Sequence, residues 1–101
     1  MHFIVTREQG PAWNEALPRH QQEQWAEHAA FMNSLADEGF VVLGGPVSGT
    51  PRVLLIMRAE SEQAIRSRLA GDPWTPMGLL TIASIEPWQI LLGDADRVRS
   101  T

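Results

Sequence analysis

With 101 residues, 44% of them hydrophobic and four tryptophans, the chain has apolar surface for one core and no length for a second; disorder is excluded by the same composition. Eight arginines, no lysine and twelve carboxylates give a formal charge of -4. The arginines are scattered, with only Arg66/Arg68 and Arg97/Arg99 close together, so nucleic acid is not an expected partner.

Zero cysteines exclude a disulfide framework, thiolate metal sites and a cysteine nucleophile. The start, MHFIVTREQG, lacks a basic region and its apolar stretch breaks at Thr6-Arg7-Glu8, so no signal peptide is expected. The longest uninterrupted apolar run is Val53 to Met57, far short of the ~20 residues of a membrane span. No membrane contact is expected, and the cytoplasm is the expected location.

In chain order, residues 2–6 (HFIVT) are β-branched and aromatic and read as a first strand ending at the charged residues. Residues 8–19 carry Gly10, Pro11, Asn14 and Pro18 and read as a loop longer than most compact connections. Over residues 20–38 the spacing of Trp25, His28, Ala29, Met32, Leu35 and Ala36 predicts a helix with one apolar stripe, with Gln22 among its polar positions and Gly39 as its αL stop. Residues 40–43 form a second strand, halted by Gly44-Gly45-Pro46, and residues 52–58 (RVLLIMR) a third, joined as a hairpin. Ser61 is an N-cap and Glu62 suits the dipole of a short helix ended by Gly71. Asp72 to Pro76 make a turn, residues 79–85 a fourth strand closed by Glu86-Pro87-Trp88, and residues 89–92 an edge extension. A single domain over residues 1–92 and a polar tail over 93–101 are expected.

This β-α-β-β-α-β order predicts an α+β, ferredoxin-like fold: a four-stranded antiparallel sheet with both helices on one face. Alternation then places Val53, Leu55 and Met57 against Leu54 and Ile56, Leu80 and Ile82 against Leu79, Ala83 and Ile85, and Phe3 and Val5 against Ile4. Both faces are apolar in three strands, as in a sheet covered twice. At ~25 cal/mol per Å2, the uncovered face predicts a homodimer, sheet against sheet.

The candidate chemistry centres on His28. An imidazole inside an apolar stripe can serve as general acid or base, or can simply be a satisfied buried polar group. Asp72 can orient that imidazole, or can act only as the cap of the following turn, with Pro73 at its first position. His2 and His20 read as surface residues, and the spacing of His20 and His28 suits no metal motif. Gly44-Gly45-Pro46 lacks the helix N-terminus of a phosphate cradle. No metal and no cofactor are expected.

His28, Gly39, VVLGGP, RVLLIM, a short helix, Asp72-Pro73-Trp74 and a strand ending Glu86-Pro87-Trp88 together resemble the YCII-related proteins of the dimeric α/β-barrel superfamily. The likeness runs from the first strand to Trp88. It implies that His28 and Asp72 form an active-site couple in a cleft between helices and sheet. One departure is Trp25, where the family often has Arg, which removes a cation from the expected site. The resulting expectation is a cofactor-independent enzyme performing elimination, isomerisation or ring opening on a small organic molecule. Its cleft would be lined by Trp25, Trp74 and Met77, with Gly45 and Pro46 also in contact. The alternative is a non-catalytic dimeric module that binds a small ligand or stabilises a partner.

Overall fold

A computed structural model describes residues 1–93; the expected polar tail lies, apart from Gly93, outside the described residues. Strand β1 spans His2–Gln9, helix α1 Trp25–Asp37, β2 Val41–Pro46, β3 Arg52–Arg58, α2 Glu62–Leu69 and β4 Leu80–Trp88. A single 3-10 turn at Arg19–Gln21 precedes α1. The strands form one antiparallel sheet in the order β2-β3-β1-β4.

Inward-facing Phe3, Val5, Val53, Leu55, Met57 and Leu80 form one core with Leu35 of α1 and Ile65 and Leu69 of α2. Both helices therefore cover the same face, as the β-α-β-β-α-β order predicts. α1 ends where expected: Gly39 takes φ 79°, and the Phe40 amide donates to the Leu35 carbonyl, the Schellman pattern. α2 starts on the Ser61 hydroxyl, which accepts from the Ala64 amide. Arg68 ties α2 to the end of α1 through Glu38.

The strand boundaries differ from expectation for one physical reason. Pro46 and Pro87 both belong to strands, because β2 and β4 are the edges of the sheet and an edge strand does not need every amide. The expected stops at Leu43 and Ile85 are thus each overrun by three residues. β1 likewise continues through Arg7 and Glu8 to Gln9. Residues 89–92 add no strand.

The register also corrects the reading of β4. A bulge opposite Thr6/Arg7 leaves Ala83 as the extra residue and reverses the alternation beyond it. Ile85 therefore faces inward opposite Val5, and Thr81, Ser84, Glu86 and Trp88 face outward. The apolar part of the outer face is narrower than expected: Ile4, Ile56, Leu54 and Leu43 on neighbouring strands, with Trp88 at the end of β4. His2, read as a surface residue, is buried on this face between its register partners Arg58 and Trp88. His20 is exposed, as expected.

The long segment before α1 is ordered by Gln22, which lies ahead of the helix rather than on its polar side. Its buried side chain accepts from the Asn14 amide and donates to the carbonyls of Asn14 and Leu17. Those three hydrogen bonds offset the cost of burying the amide group and close the loop on itself. They also press Trp13 edge-on against Trp74, with ring centroids 5.6 Å apart.

Candidate active site

Asp72 is fully buried immediately after α2, where an unpaired carboxylate would be untenable. Three donors meet it. The Trp74 amide donates to Oδ1 at 3.0 Å, an Asx-type turn, so the capping role expected of an Asp before Pro is real. Arg7 Nη1 donates to Oδ2 at 2.9 Å. His28 Nδ1 lies 2.8 Å from Oδ2 and 3.0 Å from Oδ1. One carboxylate thus serves the turn, the ion pair and the imidazole together.

Burial pushes the Asp72 carboxyl upward. Hydrogen bonds from His28, the Trp74 amide and Arg7 outweigh it and hold the group below the usual carboxylate range. An ionised carboxylate only accepts, so the proton of a neutral His28 sits on Nδ1 and the Nε2 lone pair is free. Nε2 has no protein partner among the described residues and is not one of the enclosed polar atoms. The ring lines a cavity of about 540 Å3 between α1, β2 and β3.

Arg7 is the residue that sequence reasoning missed. It is 1% exposed, faces inward beside Phe3 and Val5, and reaches over the sheet to Asp72. Its Nη2 donates at 2.9 Å to the Thr75 hydroxyl, which in turn donates to the Leu69 carbonyl at 2.7 Å. Nε is enclosed without a partner, so the guanidinium is positioned by its two terminal nitrogens alone. With Arg7 balancing the carboxylate, His28 does not have to be protonated to satisfy Asp72. The signal was parity: an Arg in step with Phe3 and Val5 sits on the buried face, whereas it was read as a strand end.

Trp74 stacks on His28 with centroids 3.8 Å apart and planes 5° from parallel, and is itself fully buried. Its Nε1 donates to the Glu23 carbonyl at 2.7 Å, which pins the indole and hence the imidazole plane. Gln24, in the left-handed region at φ 56°, makes the sharp entry into α1 just after that carbonyl. Trp74 is therefore a support behind the imidazole, where a cavity wall was expected. Met77 is not a wall either; it lies at a separate hollow beside Ala12, Leu17 and Gln22. Trp25, Gly45 and Pro46 do line the cavity, as do Met32 and Leu55. Gly44 also lines it and faces Leu55, whose methyl would lie 2.6 Å from a Cβ at that position. Among the described residues, no cluster of three or more His, Asp or Glu side chains is placed to hold a metal ion, and no helix is long and apolar enough to cross a membrane.

Residues 1–89 match the YCII-related domain family. The chain belongs to this family. No curated protein matches it. Among solved structures, it is similar to 5-chloro-2-hydroxyhydroquinone dehydrochlorinase (TftG) from Burkholderia phenoliruptrix AC1100, in complex with 2,5-dihydroxybenzoquinone. The TM-score is 0.59 and the identity 27%, over 88% of this chain and 94% of that one. Trp25 brings no cation to the cavity, but Arg7 and Arg19 both line it.

The Arg7–Asp72 pair sets a stability prediction. Asp72→Asn alone leaves a buried guanidinium uncompensated and should cost about 3–5 kcal/mol in urea denaturation. Adding Arg7→Met should recover much of the loss; a single-variant cost below about 1 kcal/mol would contradict the pairing. Because the native pKa of Asp72 lies below its unfolded value of about 3.9, its contribution is complete above that pH and drains away as pH falls through the native value. The acid limb of the stability profile should therefore be shallower in the double variant.

Proposed function

We propose that the chain is a small-molecule enzyme in which His28 moves a proton, Asp72 orients the imidazole and Arg7 fixes Asp72. The observation that carries this reading is the His28 ring itself. It is held from one side by a buried carboxylate, stacked on a fixed indole, and leaves one nitrogen toward a mostly apolar cavity. As base, Nε2 takes a proton from carbon or hydroxyl; the released electron pair forms the new π bond, and a leaving group departs with its own pair. The imidazolium so formed is stabilised by Asp72 at 2.8 Å and by the face of Trp74. The same proton can then return to product or leaving group.

Such a step needs only a base and its conjugate acid, which suits elimination, isomerisation or ring opening without a cofactor. Elimination is favoured among these by the similarity to a dehydrochlorinase. The substrate would be a small cyclic, unsaturated molecule lying between Trp25 and Met32 on one side and Gly44, Gly45 and Pro46 on the other. The outer sheet face, with Ile4, Leu43, Leu54, Ile56 and Trp88, would be covered by a second copy. Light scattering at micromolar concentration should give twice the monomer mass; a monomer would remove that assembly.

The test of the chemistry is His28→Asn, whose side-chain amide can take the place of Nδ1 and donate to Asp72 but cannot shuttle a proton. On a panel of halogenated hydroxyquinols and enol-lactones, the wild-type protein should turn over at least one compound, and the variant should be slower by about a hundredfold or more. If the panel binds but nothing is turned over, or the variant is equally fast, the catalytic role fails and a ligand-binding module is the better description.

A further inference from the structure

The cavity has an unusual charge balance for so acidic a chain. The protein carries a formal charge of -4, yet the cavity wall contains two arginines and His28 and no Asp or Glu among the described residues. The two arginines differ. Arg7 is neutralised by Asp72 at 2.9 Å. Arg19, in the 3-10 turn before α1, has no carboxylate partner among the described residues; its guanidinium instead lies 5.3 Å from the centre of the Trp13 ring.

A cation stacked on an indole keeps its edge nitrogens available while its face is held. The loop that carries both Arg19 and Trp13 is closed by the buried Gln22 amide, so the guanidinium is placed by ordered structure. Burial also pushes the Arg19 pKa down, the mark of a charge that has lost part of its hydration without gaining a counter-ion. An anion arriving at the cavity would supply that counter-ion. The remaining wall is apolar, built from side chains such as Met32, Val41, Leu55 and Leu80.

We propose that Arg19 is a specificity-determining residue that selects a small organic anion, with its charged oxygens at the Arg19 guanidinium and its apolar body in the cavity beside His28. This deepens the functional reading above and rests on it for the identity of the site. The shared chemistry is an oxyanion on an unsaturated or aromatic frame, whether a carboxylate or an acidic enol. Held by Arg19, the substrate would be oriented with its reacting atom toward Nε2. Charge-assisted hydrogen bonds to guanidinium are the interaction that would distinguish it from a neutral analogue of the same shape.

The test uses matched pairs and the intact chain, with binding followed by calorimetry. Benzoate is compared with benzamide, and 2,5-dihydroxybenzoquinone, an acidic enol, with its neutral dimethyl ether. At least one anion should bind about tenfold or more tightly than its neutral partner. Arg19→Gln should remove that preference by weakening the anion about tenfold while changing the neutral compound less than about twofold. Arg19→Lys should retain part of it, and thermal melts of both variants should show the fold intact. Should Arg19→Gln not fold, Arg19→Lys decides alone: a preference undiminished by that loss of fork geometry contradicts the proposal. Equal binding of anion and neutral partner, a preference that survives Arg19→Gln, or no anion binding at millimolar concentration would each overturn it.

The two readings fail separately. Anion preference lost in Arg19→Gln, with no turnover of any compound, would sink the catalytic role of His28 and leave Arg19 as the selector. His28-dependent turnover with no anion preference would do the reverse.

Discussion

Two opposite charges, Arg7 at 1% and Asp72 at 0% exposure, sit 2.9 Å apart in the interior of this small protein. Either charge alone would be costly to bury there, and a buried pair is tolerated only when its other hydrogen-bonding groups are met. The rest of the site follows from meeting them. Thr75 takes the second nitrogen of the guanidinium, the Trp74 amide takes the turn-side oxygen, and His28 Nδ1 completes the carboxylate. The imidazole is thus held by a group whose charge is already balanced.

That balance lets Asp72 hold the Nδ1 side of His28 while its own charge is met by Arg7. Trp74 adds a rigid plane: stacked on His28 and anchored to the Glu23 carbonyl, it leaves the ring little freedom to turn away from the carboxylate. The elements involved are β1, the start of α1 and the turn after α2, which meet only in the folded sheet. Stability and site geometry are therefore built from the same contacts, and a substitution at Asp72 tests both at once.

Local signals made much of this fold legible from residues alone. β3 and α2 have bounds close to expectation because RVLLIMR is β-branched and bulky, and Ser61 and Gly71 punctuate the helix chemically. What failed were features fixed by position in the sheet. Pro46 and Pro87 are strand residues only because β2 and β4 are edges, and Ile85 faces inward only because of a bulge. The His28–Asp72 contact was anticipated only through family resemblance, since the residues alone favoured a plain turn cap, and the carboxylate does both. Arg7 was lost by treating charge as the end of a strand, although its step with Phe3 and Val5 placed it on the core face. Trp74 was expected to touch substrate; an aromatic after a turn has no sequence mark that tells a wall from a support. Membership of the YCII-related family and similarity to a dehydrochlorinase agree with the fold, while the chemistry assigned to His28 rests on its surroundings.

The most direct test of the central claim is the tautomer of His28, observed through the nitrogen chemical shifts of its imidazole in 15N-labelled protein. Ionised Asp72 predicts that the neutral form of the ring carries its proton on Nδ1 and leaves Nε2 bare. A neutral ring protonated on Nε2 would contradict the account, because Nδ1 could then no longer donate to Asp72.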